Sequence, residues 1–187
     1  MHAFIVEGHM ERAIVQRLCK GAPVRRLGVN GDDVNIKVMA KFVHAQILTL
    51  RDRYRPIYII FDREKRSQSV SELRENLAEC LENLGHNREL FRICIADREF
   101  ETWIAPFMDD EGIVQATPIR PMEGENGKAV IKEKMKFVGR LYSETVHGVQ
   151  FFCSMNPNRI SEISESFRYL FESIDDRCAW KRSSDDF

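Results

Sequence analysis

The sequence predicts an α/β domain, with a mostly parallel sheet of about four strands, helices on both faces and a helical C-terminal extension. Three observations carry that prediction. Short apolar runs alternate with helical patterns from residue 3 to about 108, the order expected of parallel βαβ units with right-handed crossovers. The run Ile57-Tyr58-Ile59-Ile60-Phe61 is apolar without interruption, which suits a central strand buried on both faces. The strand-like runs also lead into acidic residues: Glu7 after Val6, Asp62 and Glu64 after Phe61, and Asp97, Glu99 and Glu101 after Ile95. In an open parallel sheet, that carboxyl edge is where ligands bind.

Each element has its own signature. A first strand, Ala3 to Val6, stops at Gly8, and a helix follows with Met10, Ile14, Val15 and Leu18 on one face and Gly21 closing it. Pro23 to Val29 reads as a second strand and Asn30-Gly31-Asp32-Asp33 as a turn and helix start. A long stripe (Ile36, Met39, Ala40, Val43, Ile47, Leu50) then runs through about Arg53. After the central strand, Ser69-Val70-Ser71-Glu72 fits a capping box, Leu73, Leu77, Leu81 and Leu84 give the buried face, and Gly85 marks the stop. Phe91 to Ile95 is the next strand, and Phe100, Trp103, Ile104 and Phe107 share one face of a short helix, read as core. Prolines and glycines from 109 to 127 mark a loop, with a short strand at Ile113 to Ala116. Lys128 to Tyr142 is helical with Ile131, Met135, Val138, Leu141 and Tyr142 inward, and Pro157 breaks the helical remainder. The expected organisation is one domain over 1–187, with an α/β core over 1–108, a loop and helical extension over 109–175, and a loose polar tail over 176–187.

Composition narrows the class. A chain of 187 residues with 43% hydrophobic and 30% charged residues reads as globular rather than disordered. Its net charge of -1 provides no global basic field, so a nucleic-acid partner would have to be held by a local patch. The five cysteines are scattered without a CxxC pair, so neither a zinc site nor a disulfide frame is expected, and several of them sit in apolar periodic patterns and read as buried thiols in a reducing compartment. No apolar run approaches the ~20 residues needed to span a bilayer, and no secretion signal opens the chain, so the expected location is cytoplasmic with no membrane partner.

Carboxylates converging at one sheet edge repel one another unless a cation neutralises them, and Mg2+ or Mn2+ prefers oxygen ligands of this kind. Asp62 and Glu64 alternate, and in extended backbone they face the same side. Asp97 and Glu101 are i and i+4 if helical and then lie together. Glu99 and Glu101 flank the aromatic stripe on opposite sides, so at least one reads as a solvated helix residue. Cleavage of a phosphate ester also needs cations beside the acids. Arg63, Lys65, Arg66 and Arg98 lie within or next to the acidic clusters, and Lys128, Lys132 and Lys136 stripe one helix edge. His9 reads mainly as an exposed helix-start residue. No glycine-rich phosphate loop and no nucleophile elbow is present.

The pair Val6-Glu7-Gly8, with Glu11 one helical step on, and Ile60-Phe61-Asp62-Arg63-Glu64 resemble the two Toprim signatures, a Glu after the first strand and an Asp-x-Asp after a later one. That fold, a Rossmann-like one, occurs in topoisomerases, primases, recombination proteins and overcoming-lysogenization-defect nucleases. The sequence departs from the pattern at Glu64, one methylene longer than the second Asp. Asp97-Arg98-Glu99-Phe100-Glu101-Thr102-Trp103 is similar to the "REFEAW" segment of a compact Toprim-like family found beside ATPase genes in bacterial defence loci, and the Lys128 region and Ser166-Phe167 also resemble that family's C-terminal part. The resemblance implies a Mg2+-dependent nuclease or related phosphoryl-transfer enzyme acting on DNA or RNA, in defence against phage or plasmids. In it Asp62 and Glu64 hold the metal, Glu7 organises it or moves a proton, and Glu99 and Glu101 supply a further acidic segment; apart from the resemblance, Arg63, Arg98 and Lys128 are the cations expected to steady the phosphate. The alternative it leaves open is a non-catalytic subunit that docks on an ATPase. Oligomeric state, including a homo-oligomer, also stays open.

Overall fold

The computed structural model describes residues 1–29, 34–109, 112–115, 118, 120–174, 176 and 178–182. Four strands, β1 (Ala3–Val6), β2 (Val24–Arg26), β3 (Ile57–Asp62) and β4 (Phe91–Ala96), form one all-parallel sheet in the order β2-β1-β3-β4. From β1 the chain crosses to β2 on one side and then returns past β1 to β3 on the other. The topological switch point therefore lies between β1 and β3, where a doubly wound sheet opens a crevice at its carboxyl edge.

Strand alternation divides the core into two layers. Phe4, Val6, Tyr58, Ile60, Cys94 and Ala96 face α1 (His9–Leu18) and the later helices, whereas Ala3, Ile5, Ile57, Ile59, Phe61, Ile93 and Ile95 face α2 (Ile36–Leu50) and α3 (Val70–Asn83). Every residue from Ile57 to Phe61 is buried, as an unbroken apolar run in a central strand requires. Burying each such Ile or Phe contributes about 2 kcal/mol, so β3 is a rigid mount for the residue at its end, Asp62.

The caps act as the sequence predicts. Ser69 and Glu72 close a capping box on α3, and Gly85 (φ +87) ends it with the N–H of His86 donating to the Leu81 carbonyl. Helix α4 (Gly127–Phe137) is shorter than expected. Gly139 (φ +72) places the Gly139 and Arg140 N–H groups on the Lys136 and Met135 carbonyls, a Schellman closure. Leu141, expected to point inward, is consequently 87% exposed, and Val138 is exposed too. Only the bridge Met108–Val114 remains of the expected strand at 113–116, and Ala116 lies outside the described residues, as does the expected turn at 30–33.

Beyond α4, the described residues form one π-helical turn (Glu144–Gly148) and four short helices, α5 (Val149–Ser154), α6 (Pro157–Ile163), α7 (Glu165–Ser173) and α8 (Ala179–Arg182). Phe152 and Phe167 pack with Trp180 and with the Phe100/Trp103 pair against the first face of the sheet. The expected loose tail is thus corrected in part: Cys178 and Trp180 are buried and α8 is seated on the core. The expectation of no disulfide is corrected as well. Cys19, capping α1, is bonded to Cys178 across 159 residues, while Cys80, Cys94 and Cys153 are free thiols. Sequence spacing is silent about pairs joined only by tertiary folding.

Candidate metal centre

Glu7 follows β1 directly. Its N–H donates to the Ile60 carbonyl (3.1 Å), continuing the ladder by one residue, and its carboxylate reaches across the switch point to accept from the Asp62 N–H (3.1 Å). Glu11, one turn into α1, is also buried. A Cβ at Gly8 would lie 2.5 Å from Glu11 Oε2, so the glycine lets that carboxylate fold back over the turn at the positive end of the helix. Asp62 ends β3, paired with Ala96, and its Oδ1 is buried with no hydrogen-bond partner among the described residues. The next loop is held in an unusual conformation. Glu64 (φ 58) and Arg98 (φ 82) both sit in the left-handed region, and the Glu64 N–H donates to the Arg98 carbonyl at 2.6 Å. Non-glycine residues held there each cost on the order of 1 kcal/mol or more, a cost that clusters at functional sites.

The third acidic cluster differs from its expected helix. Glu99 is extended (φ -152), and the chain beyond it forms two 3-10 turns, Phe100–Trp103 and Ala105–Phe107. Asp97 and Glu101 therefore do not share a face. Asp97 pairs with Arg63 on the far side of the β3 loop, while Glu101, 1% exposed, enters the same cleft as Glu7 and Asp62. The expectation of a solvated acid among Glu99 and Glu101 is also corrected, because both are buried. Glu99 accepts the Lys128 N–H at 2.6 Å, satisfying one of the open donors at the start of α4. Gly127 makes this seat accessible: a Cβ there would lie 2.5 Å from the Glu101–Thr102 backbone.

The resulting cleft, about 310 Å³, is lined by six carboxylates (Glu7, Glu11, Asp62, Glu64, Glu101, Glu144) and, among its described lining residues, by one lysine, Lys128. The Lys128 ammonium lies 3.1 Å from Glu144 and 3.8 Å from Glu101, and Tyr142 donates its hydroxyl to Glu101 at 3.2 Å. One cation does not balance this set. Burial first, then the Glu11, Glu7, Glu101 and Glu64 charges, push the Asp62 carboxyl well above its ordinary range. Burial also raises Glu11 to about 7, with Glu7 adding to it, and raises Glu101 to about 7 against the pull of Lys128. Burial works against the Lys128 charge, but Glu101 and Glu144 outweigh it and raise the lysine. Burial and then Glu101 raise Tyr142, keeping its proton on as a donor.

Of the residues expected here, Glu7, Asp62, Glu64, Glu101 and Lys128 are brought together. Glu99 anchors Lys128 from behind. Arg63 lies in a different cleft, against Asp97 and the Arg66 carbonyl, and half-buried Arg98 lines neither. His9 is exposed at the rim, its ring against the Arg26 guanidinium. Glu144 and Tyr142 join the site from a segment with no acidic pattern to announce it, whereas Glu11 was signalled by its place one turn after Glu7. Among the described residues, no three of these carboxylates bring oxygens mutually within 4.8 Å, so closing them on one ion requires side-chain rotation. The buried Asp62 Oδ1, without a partner among the described residues, and the all-oxygen donor set fit a hard divalent cation. Among the described residues no helix is long and apolar enough to cross a membrane. Comparison with protein-family models, with curated proteins and with solved structures finds no match.

Proposed function

We propose that this chain is a Mg2+- or Mn2+-dependent phosphodiester hydrolase acting on nucleic acid, a nuclease of the kind its Toprim-like motifs imply, with a role in bacterial defence. One observation carries the reading: a buried Asp62 oxygen without a donor stands at the switch point of a parallel sheet, among carboxylates in excess of the cations beside them. Asp62, Glu64 and Glu7 would hold the ion, with Glu11 and Glu101 completing the oxygen set. When bound, the ion neutralises the cluster and offsets charge developing on a phosphoryl oxygen. Glu7, fixed by the Asp62 N–H, is placed to accept a proton from an attacking water. Lys128 stands ready to neutralise a non-bridging phosphate oxygen, held by Glu99 at its backbone and by Glu144 at its ammonium.

The test is cleavage of supercoiled plasmid and of single-stranded RNA by purified protein with Mg2+ or Mn2+. Nicking or cutting is expected for wild type and is expected to be lost in Glu7→Gln. Cleavage that persists unchanged in that variant removes the mechanism. A second reading is favoured by the position of Arg63, which pairs with Asp97 away from the acids of this cleft and leaves Lys128 as the one lysine among the cleft's described lining residues. On that reading the chain is a non-catalytic partner of an ATPase and the ion is structural. Divalent-ion binding with no cleavage, alone or with the partner, selects it.

A further inference from the structure

At the opposite edge of the sheet from the carboxylates, three distant stretches of chain place a second group of potential ligands. His2 precedes β1, Cys19 caps α1 and Cys178 precedes α8. One donor atom from each lies within 4.8 Å of the other two, and among the described residues this is the one group of three His, Cys, Asp or Glu side chains that does so. The group is buried (7%, 2% and 0% exposed). The two sulfurs are joined as a disulfide, and His2 Nε2 lies 3.6 Å from Cys178 Sγ. Edge-on contacts with Phe4 (5.4 Å) and Tyr58 (6.0 Å) fix the imidazole plane. A cavity of about 260 Å³, lined by His2 and Cys19 with Gly21, Ala22 and Tyr54, opens beside them.

A buried disulfide needs no imidazole to satisfy it. Two thiolates and a neutral imidazole, by contrast, form a donor set for Zn2+, which takes sulfur and nitrogen ligands tetrahedrally and leaves a fourth position for water where three protein groups bind it. The two thiolate charges cancel those of the ion, so the loaded site is neutral, as a buried location demands. We infer that His2, Cys19 and Cys178 form a redox-gated Zn2+ site, in which the disulfide and the metal are alternative cross-links between α8 and the end of α1. The conversion balances: a dithiol reductant gives up two electrons and two protons to the disulfide and becomes a disulfide itself. The two protein thiols then release two protons as the ion enters, its fourth ligand a water from the cavity.

The experiment titrates Co2+ into full-length protein reduced by a dithiol and then made free of it without air, following the thiolate-to-cobalt charge-transfer absorption that carboxylate ligation cannot produce. One equivalent of that signal is expected, displaced by Zn2+ and lost when the protein is oxidised. His2→Ala is expected to weaken binding by at least about a hundredfold, the upper end of what losing a mere supporting partner of a ligand costs. Circular dichroism checks that each variant is folded. Because the wild-type titration stands alone, a variant that fails to fold leaves the inference exposed to test. Absence of the signal in reduced wild type overturns it, as does a signal of equal size in oxidised protein or in the folded Cys19→Ser/Cys178→Ser variant.

Discussion

Two clefts open at the carboxyl edge of the sheet, on either side of the loop after β3, and both are built from the same two loops. In the larger, about 760 Å³, acids meet donors: Asp97 meets Arg63, Glu72 caps α3 through Ser69, and Glu123 accepts the Ser166 N–H. In the smaller, six carboxylates share one lysine, and Asp62 Oδ1 has no donor among the described residues. Adjacent residues part company here, with Arg63 going to one cleft and Asp62 to the other, and Asp97 separates likewise from Glu101. Glu123 Oε2 in the larger cleft also lacks a partner among the described residues, so what sets the smaller cleft apart is its excess of carboxylates over cations among the described lining residues, the imbalance that the proposed ion would offset.

The largest effect that distinguishes them is on Asp62. Asp62→Asn removes a carboxyl whose ionisation is opposed by burial and by its acidic neighbours, so in chelator the variant is expected to melt above wild type, increasingly so as pH rises, while metal-dependent cleavage falls by on the order of 10³-fold or more. Asp97→Ala in the other cleft is expected to do the reverse, lowering the melting temperature and leaving cleavage within about tenfold of wild type. Melting curves with and without Mg2+, alongside the cleavage assay, check both. Destabilisation of the ion-free protein by Asp62→Asn would contradict this.

Gly127→Ala is expected to cost about 2 kcal/mol or more in denaturant unfolding, because the new Cβ collides with the Glu101–Thr102 backbone rather than with a movable side chain. It would also lift Lys128 away from Glu101 and so reduce activity more than stability alone explains. Gly8→Ala meets only the tip of Glu11 and is expected to cost less, with its effect concentrated on metal affinity.

The pH dependence follows from Glu11 and Glu101, both raised from 4.5 to about 7. The folded chain then holds more protons than the unfolded chain between those values. Their contribution is therefore present below about pH 4.5 and is lost as pH rises through about 7. In chelator, wild type is expected to lose on the order of 3 kcal/mol more across that window than Glu11→Gln does, and saturating Mg2+ is expected to reverse the trend. Urea unfolding at stepped pH reads both slopes. The smallest effect belongs to the paired cleft: a double-mutant cycle on Arg63 and Asp97, each about one-fifth exposed, is expected to return about 1 kcal/mol of coupling and no change in metal affinity.

The sheet was legible because its signals are local. An unbroken apolar run, a capping box and a helix-stop glycine each act within a few residues, and the acids at the ends of β1 and β3 follow from strand direction alone. The fate of the third acidic cluster was not legible. The segment from Asp97 to Trp103 carries a helical apolar pattern, yet burial of Phe100 and Trp103 against the C-terminal helices draws it into 3-10 turns and sends Asp97 and Glu101 to different clefts. Glu144 and Tyr142 reach the site only through tertiary folding, as do Cys19 and Cys178 in their bond. Leu141 was misplaced because a helical stripe was carried past Gly139, whose positive φ ends the helix.

The most direct measurement of the central claim is the anomalous difference map of a crystal soaked in Mn2+. A peak is expected in the smaller cleft within coordination distance of Asp62 Oδ1, with Glu7 or Glu64 rotated to share it, and no peak in the cleft of Arg63 and Asp97. Full Mn2+ occupancy elsewhere on the molecule, with Asp62 Oδ1 still without a ligand, would contradict that claim.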